Sequence, residues 1–438
     1  MTQKKVAVTT LGCKVNQYES AALEELFRRR GYQIVEFEQI ADVYVINTCT
    51  VTHLGDRKSR QMIRRANKTN PDAVVVATGC YAQTAPDEVL EVEGVDLVLG
   101  AGNRAAIVDL VESAVKGNKV KAVGDILKCR EFEDLPGEDC QGRVRAYLKI
   151  QEGCENFCSY CIVPYARGPL RSRKPESVLA AANNLVRRGF REIVLTGIHT
   201  GAYGRDKQDK HGLVRLLEKL ASVPGIARIR LSSIEPNDIT PELIELVAAG
   251  TPFCRHLHIP LQSGDDTVLA KMRRRYNTAF YRNLVEEARN KVAGLGVTTD
   301  VMVGFPGETE ENFDNTYSFI KEMNFSGLHV FKYSPRRGTP AADFPAQVNP
   351  ADKEKRSRAL ITLGENLACS FAAGHLGQTV EVLVEQALPE ERENLWEGHT
   401  DNYIRVVFPG ARKLQGTIIN VNAEKLSGTS IMGRIILK

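Results

Sequence analysis

Short β-branched runs alternate with amphipathic stretches along most of this chain, and that alternation limits the folds open to it. In residues 1–127, the runs at 6–10, 43–47, 73–77 and 97–99 predict strands, and 18–30, 54–68 and 104–115 predict helices. Strands separated by helices predict an open, mostly parallel α/β sheet covered on both faces. Residues 128–141 break the pattern: Glu131-Phe-Glu-Asp-Leu-Pro-Gly-Glu-Asp is acidic, holds a Pro-Gly turn and reads as a linker. The pattern resumes in residues 142–372, with strands expected at 146–150, 192–196, 228–231, 256–259, 298–303 and 327–332. Six such units predict a partial (β/α)6 barrel, whose site belongs at the carboxyl ends of its strands. In residues 373–438, apolar and polar residues alternate at 379–384, 403–408, 415–421 and 430–437 between Gly, Pro and Asn turns. This predicts a small antiparallel β-barrel, a type that often binds nucleic acid.

Composition excludes several classes. The chain has 438 residues, 43% apolar and 26% charged, as ordinary globular domains do. No apolar run approaches the ~20 residues of a membrane span. Met-Thr-Gln-Lys-Lys leads straight into the first β run, without the apolar core of a signal peptide, so a cytoplasmic location is expected. In that reducing compartment, ten cysteines point to metal or catalysis rather than disulfides.

Three of the ten, Cys154, Cys158 and Cys161, stand in Gly153-Cys-x3-Cys-x2-Cys. A 4Fe–4S cluster is usually held by four thiolates. A compact run of three implies one iron left open, and an open metal position is where chemistry occurs. A zinc knuckle would need a fourth Cys or His nearby, and the nearest histidine downstream is His199. A second set is scattered in sequence but regular in the expected fold. Cys13, Cys49 and Cys80 each follow a predicted strand, at the edge where open α/β sheets place ligands. Three thiols on one edge can share a second cluster. Cys129, Cys140, Cys254 and Cys369 are left for packing.

Gly153-Cys-Glu-Asn-Phe-Cys-Ser-Tyr-Cys resembles the signature of radical S-adenosylmethionine enzymes. Thr10-Leu-Gly-Cys-Lys-Val-Asn-Gln-Tyr-Glu, Asn47-Thr-Cys-Thr-Val and Thr78-Gly-Cys resemble the methylthiotransferase domain, and the C-terminal segment resembles a TRAM domain. The resemblance covers essentially the whole chain. It implies two 4Fe–4S clusters as cofactors, one on Cys154, Cys158 and Cys161, the other on Cys13, Cys49 and Cys80, with S-adenosyl-L-methionine chelated by the open iron of the first. One electron then breaks the sulfonium bond and releases a 5′-deoxyadenosyl radical. The second cluster would hold an extra sulfur that is methylated and inserted at an adenine C2–H, a bond without useful acidity that a radical can break.

Gly12-Cys-Lys-Val-Asn is most similar to the branch that acts on N6-threonylcarbamoyladenosine at tRNA position 37. Two other branches, acting on N6-isopentenyladenosine or on a ribosomal-protein aspartate, are the nearest alternatives, and a non-catalytic iron–sulfur RNA-binding protein is a third. The expected partners are a tRNA anticodon stem-loop, a low-potential electron donor and a sulfur donor. The resemblance places Tyr160 beside the cofactor adenine and the turn holding Gly197 at its methionine end. Glu235 and Gln262 follow the third and fourth barrel strands as polar rim residues, suited to its ribose or carboxylate; Glu308 is a weaker candidate. His256 and His258 are read as packing residues.

Three basic clusters are candidate phosphate contacts. The first runs from Arg143 to Lys174, with Arg167, Arg171 and Arg173 at the expected mouth of the site. The second is the predicted helix 54–68, which taken alone reads as a solvated face, and the third is Lys271 with Arg273–Arg275. The C-terminal segment is not net basic, and its candidate RNA face is Arg405, Arg412, Lys413, Trp396 and Tyr403.

Overall fold

The computed structural model describes residues 3–137, 144–389, 394–410 and 413–436; Cys140, Arg143 and Arg412 lie outside them. The first strands are β1 (Lys5–Thr10), β2 (Gln33–Val35), β3 (Val43–Thr48), β4 (Val74–Gly79), β5 (Leu97–Leu99) and β6 (Val120–Ala122). All five pairings are parallel, in the order β2-β1-β3-β4-β5-β6. Every residue of β3 is buried, as a central strand covered on both faces requires. The order reverses between β1 and β3, and open α/β sheets bind ligands at the carboxyl ends beside such a reversal. The edge strands β2 and β6 were not anticipated: at three residues each and partly exposed, they carry too little pattern to stand out.

The central region begins with β7 (Arg145–Lys149), then a two-residue antiparallel pair, β8 (Gln151–Glu152) and β9 (Arg171–Ser172), which clamps the base of the cysteine loop. Next come β10 (Glu192–Thr196), β11 (Arg228–Leu231), β12 (His256–His258), β13 (Gly296–Val303) and β14 (Gly327–Lys332). They form two parallel sheets, β11-β10-β7 and β12-β13-β14, bridged at Ile229 and Phe253. Leu148, Leu195, Ile229, Leu257 and Val297 share one core with the surrounding helices. The sheets curve into a six-stranded partial barrel, and no strand pairing among the described residues joins β7 to β14. Among these residues no helix is long and apolar enough to cross a membrane.

The N-terminal sheet is tied to both sides of that gap. On the β7 side, Lys149 and Arg167 donate to Glu19 at 2.7 and 2.5 Å. On the β14 side, Arg336 donates to Thr50 and Asp56 at 2.8 and 2.5 Å. The carboxyl edge of the sheet therefore meets the partial barrel where the barrel is open.

The C-terminal strands are β15 (Thr379–Ala387), β16 (Leu395–Thr400), β17 (Arg405–Pro409), β18 (Ile418–Ser427) and β19 (Ser430–Ile435). They close a barrel in the order β15-β16-β17-β19-β18. Sequence reading anticipated four strands and missed β16, whose Leu-Trp-Glu-Gly-His-Thr has little β-branched character. The fifth strand has a geometric consequence. An odd number of strands cannot alternate direction around a closed ring, so one neighbouring pair must be parallel; here it is β17 with β19.

This barrel docks at the amino ends of the central strands. Arg228 donates to the His399 and Glu381 carbonyls, Arg230 to that of Asp401, and Arg255 to the Asp401 carboxylate. The candidate RNA face is corrected by these contacts. Tyr403 stacks on His256 and His399, with ring centroids 4.8 and 5.0 Å apart, and lies against Arg145 and Arg230. Arg405 is paired with Glu397 at 2.8 Å. Tyr403 fastens the two barrels together and is not a surface stacking platform.

Candidate cluster site

One cysteine set is spread over three turns at the sheet edge, and the other lies on a single loop whose helix Val163–Arg167 meets Cys80. Cys13 is the N-cap of the helix Lys14–Arg29, Cys49 lies four residues before the helix His53–Thr69, and Cys80 opens the helix Cys80–Thr84. All three stand in turns that follow parallel strands at one edge of the sheet. Asn16 pins the turns together: its Nδ2 donates to the carbonyls of Leu11 and Thr48 at 2.7 and 3.1 Å, and Cys13 Sγ lies 3.9 Å from its Oδ1. A Cβ on Gly12 would stand 3.0 Å from Cys49 Sγ, so the missing side chain keeps that sulfur's surroundings open. Cys80 lies within electrostatic reach of both Cys13 and Cys49, and Cys161 within reach of Cys154 and Cys158.

The nine described cysteines are free thiols. Burial pushes Cys49, Cys158 and Cys161 up from the ordinary thiol range, and Cys80 to about 12 even with Arg167 beside it. Such thiols stay protonated at neutral pH until a metal displaces the proton. Among the described residues, no three His, Cys, Asp or Glu side chains are close enough to share a single metal ion. A four-iron cluster places each thiolate on its own iron and so accepts a wider spread. Three soft donors in each set, with space beside Cys49 kept clear by Gly12, fit an iron–sulfur cluster.

The loop 153–170 is held between β8 and β9. Gly153 has φ +80°, and a Cβ there would fall 1.8 Å from the Pro169 carbonyl oxygen. Gly153→Ala is therefore expected to displace Cys154 and to lower iron bound per chain to about that of a chain without Cys154, Cys158 and Cys161, as read by iron assay after reconstitution.

A small, open cleft lies beside Cys158, lined among others by His199, Glu235, Asp238, Arg273 and Arg274. Arg274 donates from Nη1 to Cys158 Sγ at 3.3 Å and from Nη2 to Glu235. His199 Nε2 lies 2.6 Å from Asp238, and its Nδ1 3.8 Å from Cys154 Sγ. Although burial opposes it, the Asp238 carboxylate raises His199 to about 10.

Of the predicted cofactor contacts, only Glu235 lines this cleft. Tyr160 packs against the group that includes Met272, Phe305 and Tyr333. Gly197 passes close to the Gln151 side chain. Gln262 bridges to β13, exchanging backbone hydrogen bonds with Asp300 and Met302 at 2.8 Å. Glu308 is buried against Arg356 at 2.7 Å. His256 and His258 both meet Thr298 Oγ1 at 2.9 Å, as packing residues do.

The basic mouth expected at Arg167, Arg171 and Arg173 is corrected: all three are buried. Arg173 pairs with Asp134 at 2.7 Å, Arg171 donates to the Arg167 carbonyl at 2.6 Å, and Arg167 donates to Glu19 and to Asn16 at 2.5 Å each. Arg167 Nε also donates to Cys80 Sγ at 3.1 Å. Sequence reasoning missed the roles of Asn16, Glu19, Glu152, Asp238 and Arg274. Asn16 and Glu19 stood within a quoted motif, but nothing in it announced a partner more than a hundred residues away.

Residues 5–100 match the family described as "Uncharacterized protein family UPF0004", and residues 148–320 match the radical SAM superfamily. The chain is 49% identical over 423 residues to the threonylcarbamoyladenosine tRNA methylthiotransferase MtaB of Bacillus subtilis, covering 96% of this chain and 94% of that protein. It is 34% identical over 440 residues to the tRNA-2-methylthio-N(6)-dimethylallyladenosine synthase of Moorella thermoacetica, covering 99% of each. Among solved structures, the radical S-adenosylmethionine methyltransferase TsrM of Kitasatospora setae aligns with a TM-score of 0.53 at 17% identity, over 78% of this chain and 74% of that one. That last likeness is one of fold alone.

Proposed function

This chain belongs to the radical S-adenosylmethionine methylthiotransferase family, and from that premise we propose that it converts N6-threonylcarbamoyladenosine at tRNA position 37 to its 2-methylthio derivative. The observation that supports the reading is that the segments carrying the two thiol triads meet. The helix Val163–Arg167, just after Cys161, packs on the helix Cys80–Thr84, and Arg167 reaches Cys80. We assign Cys154, Cys158 and Cys161 to one 4Fe–4S cluster and Cys13, Cys49 and Cys80 to another. When bound, the clusters and S-adenosyl-L-methionine supply a methyl group, a sulfur site and a radical able to break an unactivated C–H bond.

The chain's own part is to bind and orient. Glu235, His199 and Asp238 line the cleft beside Cys158, where polar cofactor groups find both donors and acceptors. Asp238 fixes the His199 ring so that its other nitrogen faces the Cys154 sulfur. Arg273 and Arg275 at the cleft, and Arg57, Lys58, Arg64 and Lys68 on the helix His53–Thr69, are exposed, and no carboxylate among the described residues pairs with them. These six cations, unlike the buried arginines of the loop, are free to meet tRNA phosphates. The reaction consumes electrons and sulfur, so a low-potential electron donor and a sulfur donor complete the system. The test is mass spectrometry of tRNA nucleosides from a deletion strain that has no second such enzyme. Loss of 2-methylthio-N6-threonylcarbamoyladenosine is expected. Its persistence, or loss of the 2-methylthio-isopentenyl nucleoside instead, would overturn the assignment.

A further inference from the structure

Arg167 is fully buried, and each of its three nitrogens has a separate partner. Nε donates to Cys80 Sγ at 3.1 Å, Nη1 to Glu19 at 2.5 Å and more weakly to Glu152 at 3.3 Å, and Nη2 to Asn16 at 2.5 Å. Around it lies a closed set of charges. Lys149 pairs with Glu19 and Glu152, and Arg104 with Glu19, Glu152 and Glu133. Three cations thus face three carboxylates, and the sum is neutral. The set draws on both halves of the protein: Asn16, Glu19, Arg104 and Glu133 lie before the central region, and Lys149, Glu152 and Arg167 within it.

We propose that Arg167 is a positioning residue that sets the reduction potential of the cluster held by Cys13, Cys49 and Cys80, through its hydrogen bond to the Cys80 sulfur. This rests on the assignment of that cluster given above. Hydrogen bonds to cluster sulfurs and nearby positive charge stabilise the reduced, more negative state and raise the potential. Glu19 and Asn16 hold two edges of the guanidinium plane, so the third N–H points at the sulfur rather than at solvent. Taking away the Arg167 charge leaves two cations against three carboxylates beside the cluster. Taking away a Glu19 charge leaves three against two. The proposal therefore predicts opposite signs for the two changes, which a purely structural role for either residue does not.

The experiment is a mediated redox titration, read by electron paramagnetic resonance of the reduced cluster. It uses the full chain carrying Cys154→Ala, Cys158→Ala and Cys161→Ala, so that one cluster gives the signal. Arg167→Met is expected to lower the midpoint by at least a tenfold change in the reduced-to-oxidised ratio, ~59 mV for one electron. Glu19→Gln is expected to raise it. Arg167→Lys, which keeps the charge but loses the directed Nε–H, is expected to fall between Arg167→Met and the parent, and it carries the test with Glu19→Gln where Arg167→Met does not fold. A signal present in every variant with an unchanged midpoint overturns the proposal while leaving the cluster assignment standing. Absence of any cluster from the parent background overturns both.

Discussion

A chain with Cys154, Cys158 and Cys161 all replaced by alanine is expected to reconstitute with half the iron of its parent and to release no 5′-deoxyadenosine from S-adenosyl-L-methionine. The parent is expected to bind about eight irons, four for each cluster. The complementary chain, lacking Cys13, Cys49 and Cys80, is expected to lose the same iron but to keep cofactor cleavage. The expectation of separate roles follows from where the cleft lies: it opens on Cys158, and none of Cys13, Cys49 and Cys80 lines it. The measurement is iron per chain together with chromatographic detection of 5′-deoxyadenosine under dithionite. Loss of all cleavage in a folded second variant would show that the two loops do not work separately.

Glu19→Ala is expected to be the most destabilising single change at the junction between the two halves. Its carboxylate is fully buried, and Arg104, Lys149 and Arg167 all converge on it. Those three cations overcome the cost of burial and hold the Glu19 carboxyl well below the usual carboxylate range. Removing one member of a buried ion group leaves uncompensated buried charge, here three cations against Glu152 and Glu133, at a cost of about 3–5 kcal/mol. Urea denaturation of the cluster-free protein measures this. Glu322→Ala, which breaks the exposed pair with Arg282, is expected to leave the midpoint where it was.

The architecture was legible in the sequence because its dominant strands announce themselves. Val43-Tyr-Val-Ile-Asn-Thr and Glu192-Ile-Val-Leu-Thr are buried throughout and flanked by amphipathic helices. The cysteines were legible for a different reason: three sit within eight residues, and the other three follow strands whose positions were already read. The strands β2, β6 and β16 were not legible, being short or poor in β-branched residues. The buried arginines were misread for a deeper reason. A run such as Arg167-Gly-Pro-Leu-Arg-Ser-Arg looks the same whether its partners are phosphates or carboxylates. The carboxylates that answer it, Glu19 and Asp134, lie 148 and 39 residues away. Sequence shows charge; only the fold shows which charge is already matched. The cations that the fold leaves unpaired, such as Arg57, Lys58 and Arg64, are exposed.

The N-terminal sheet straddles the gap between β7 and β14, held by Glu19 on one side and Asp56 on the other. Those two carboxylates are made before their partners, Arg167 and Arg336. A growing chain therefore holds Glu19 without Arg167 until residue 167 has left the ribosome, and Asp56 without Arg336 until residue 336 has. A chain that ends before residue 336 therefore lacks the contact that ties the N-terminal sheet to the β14 side of the gap.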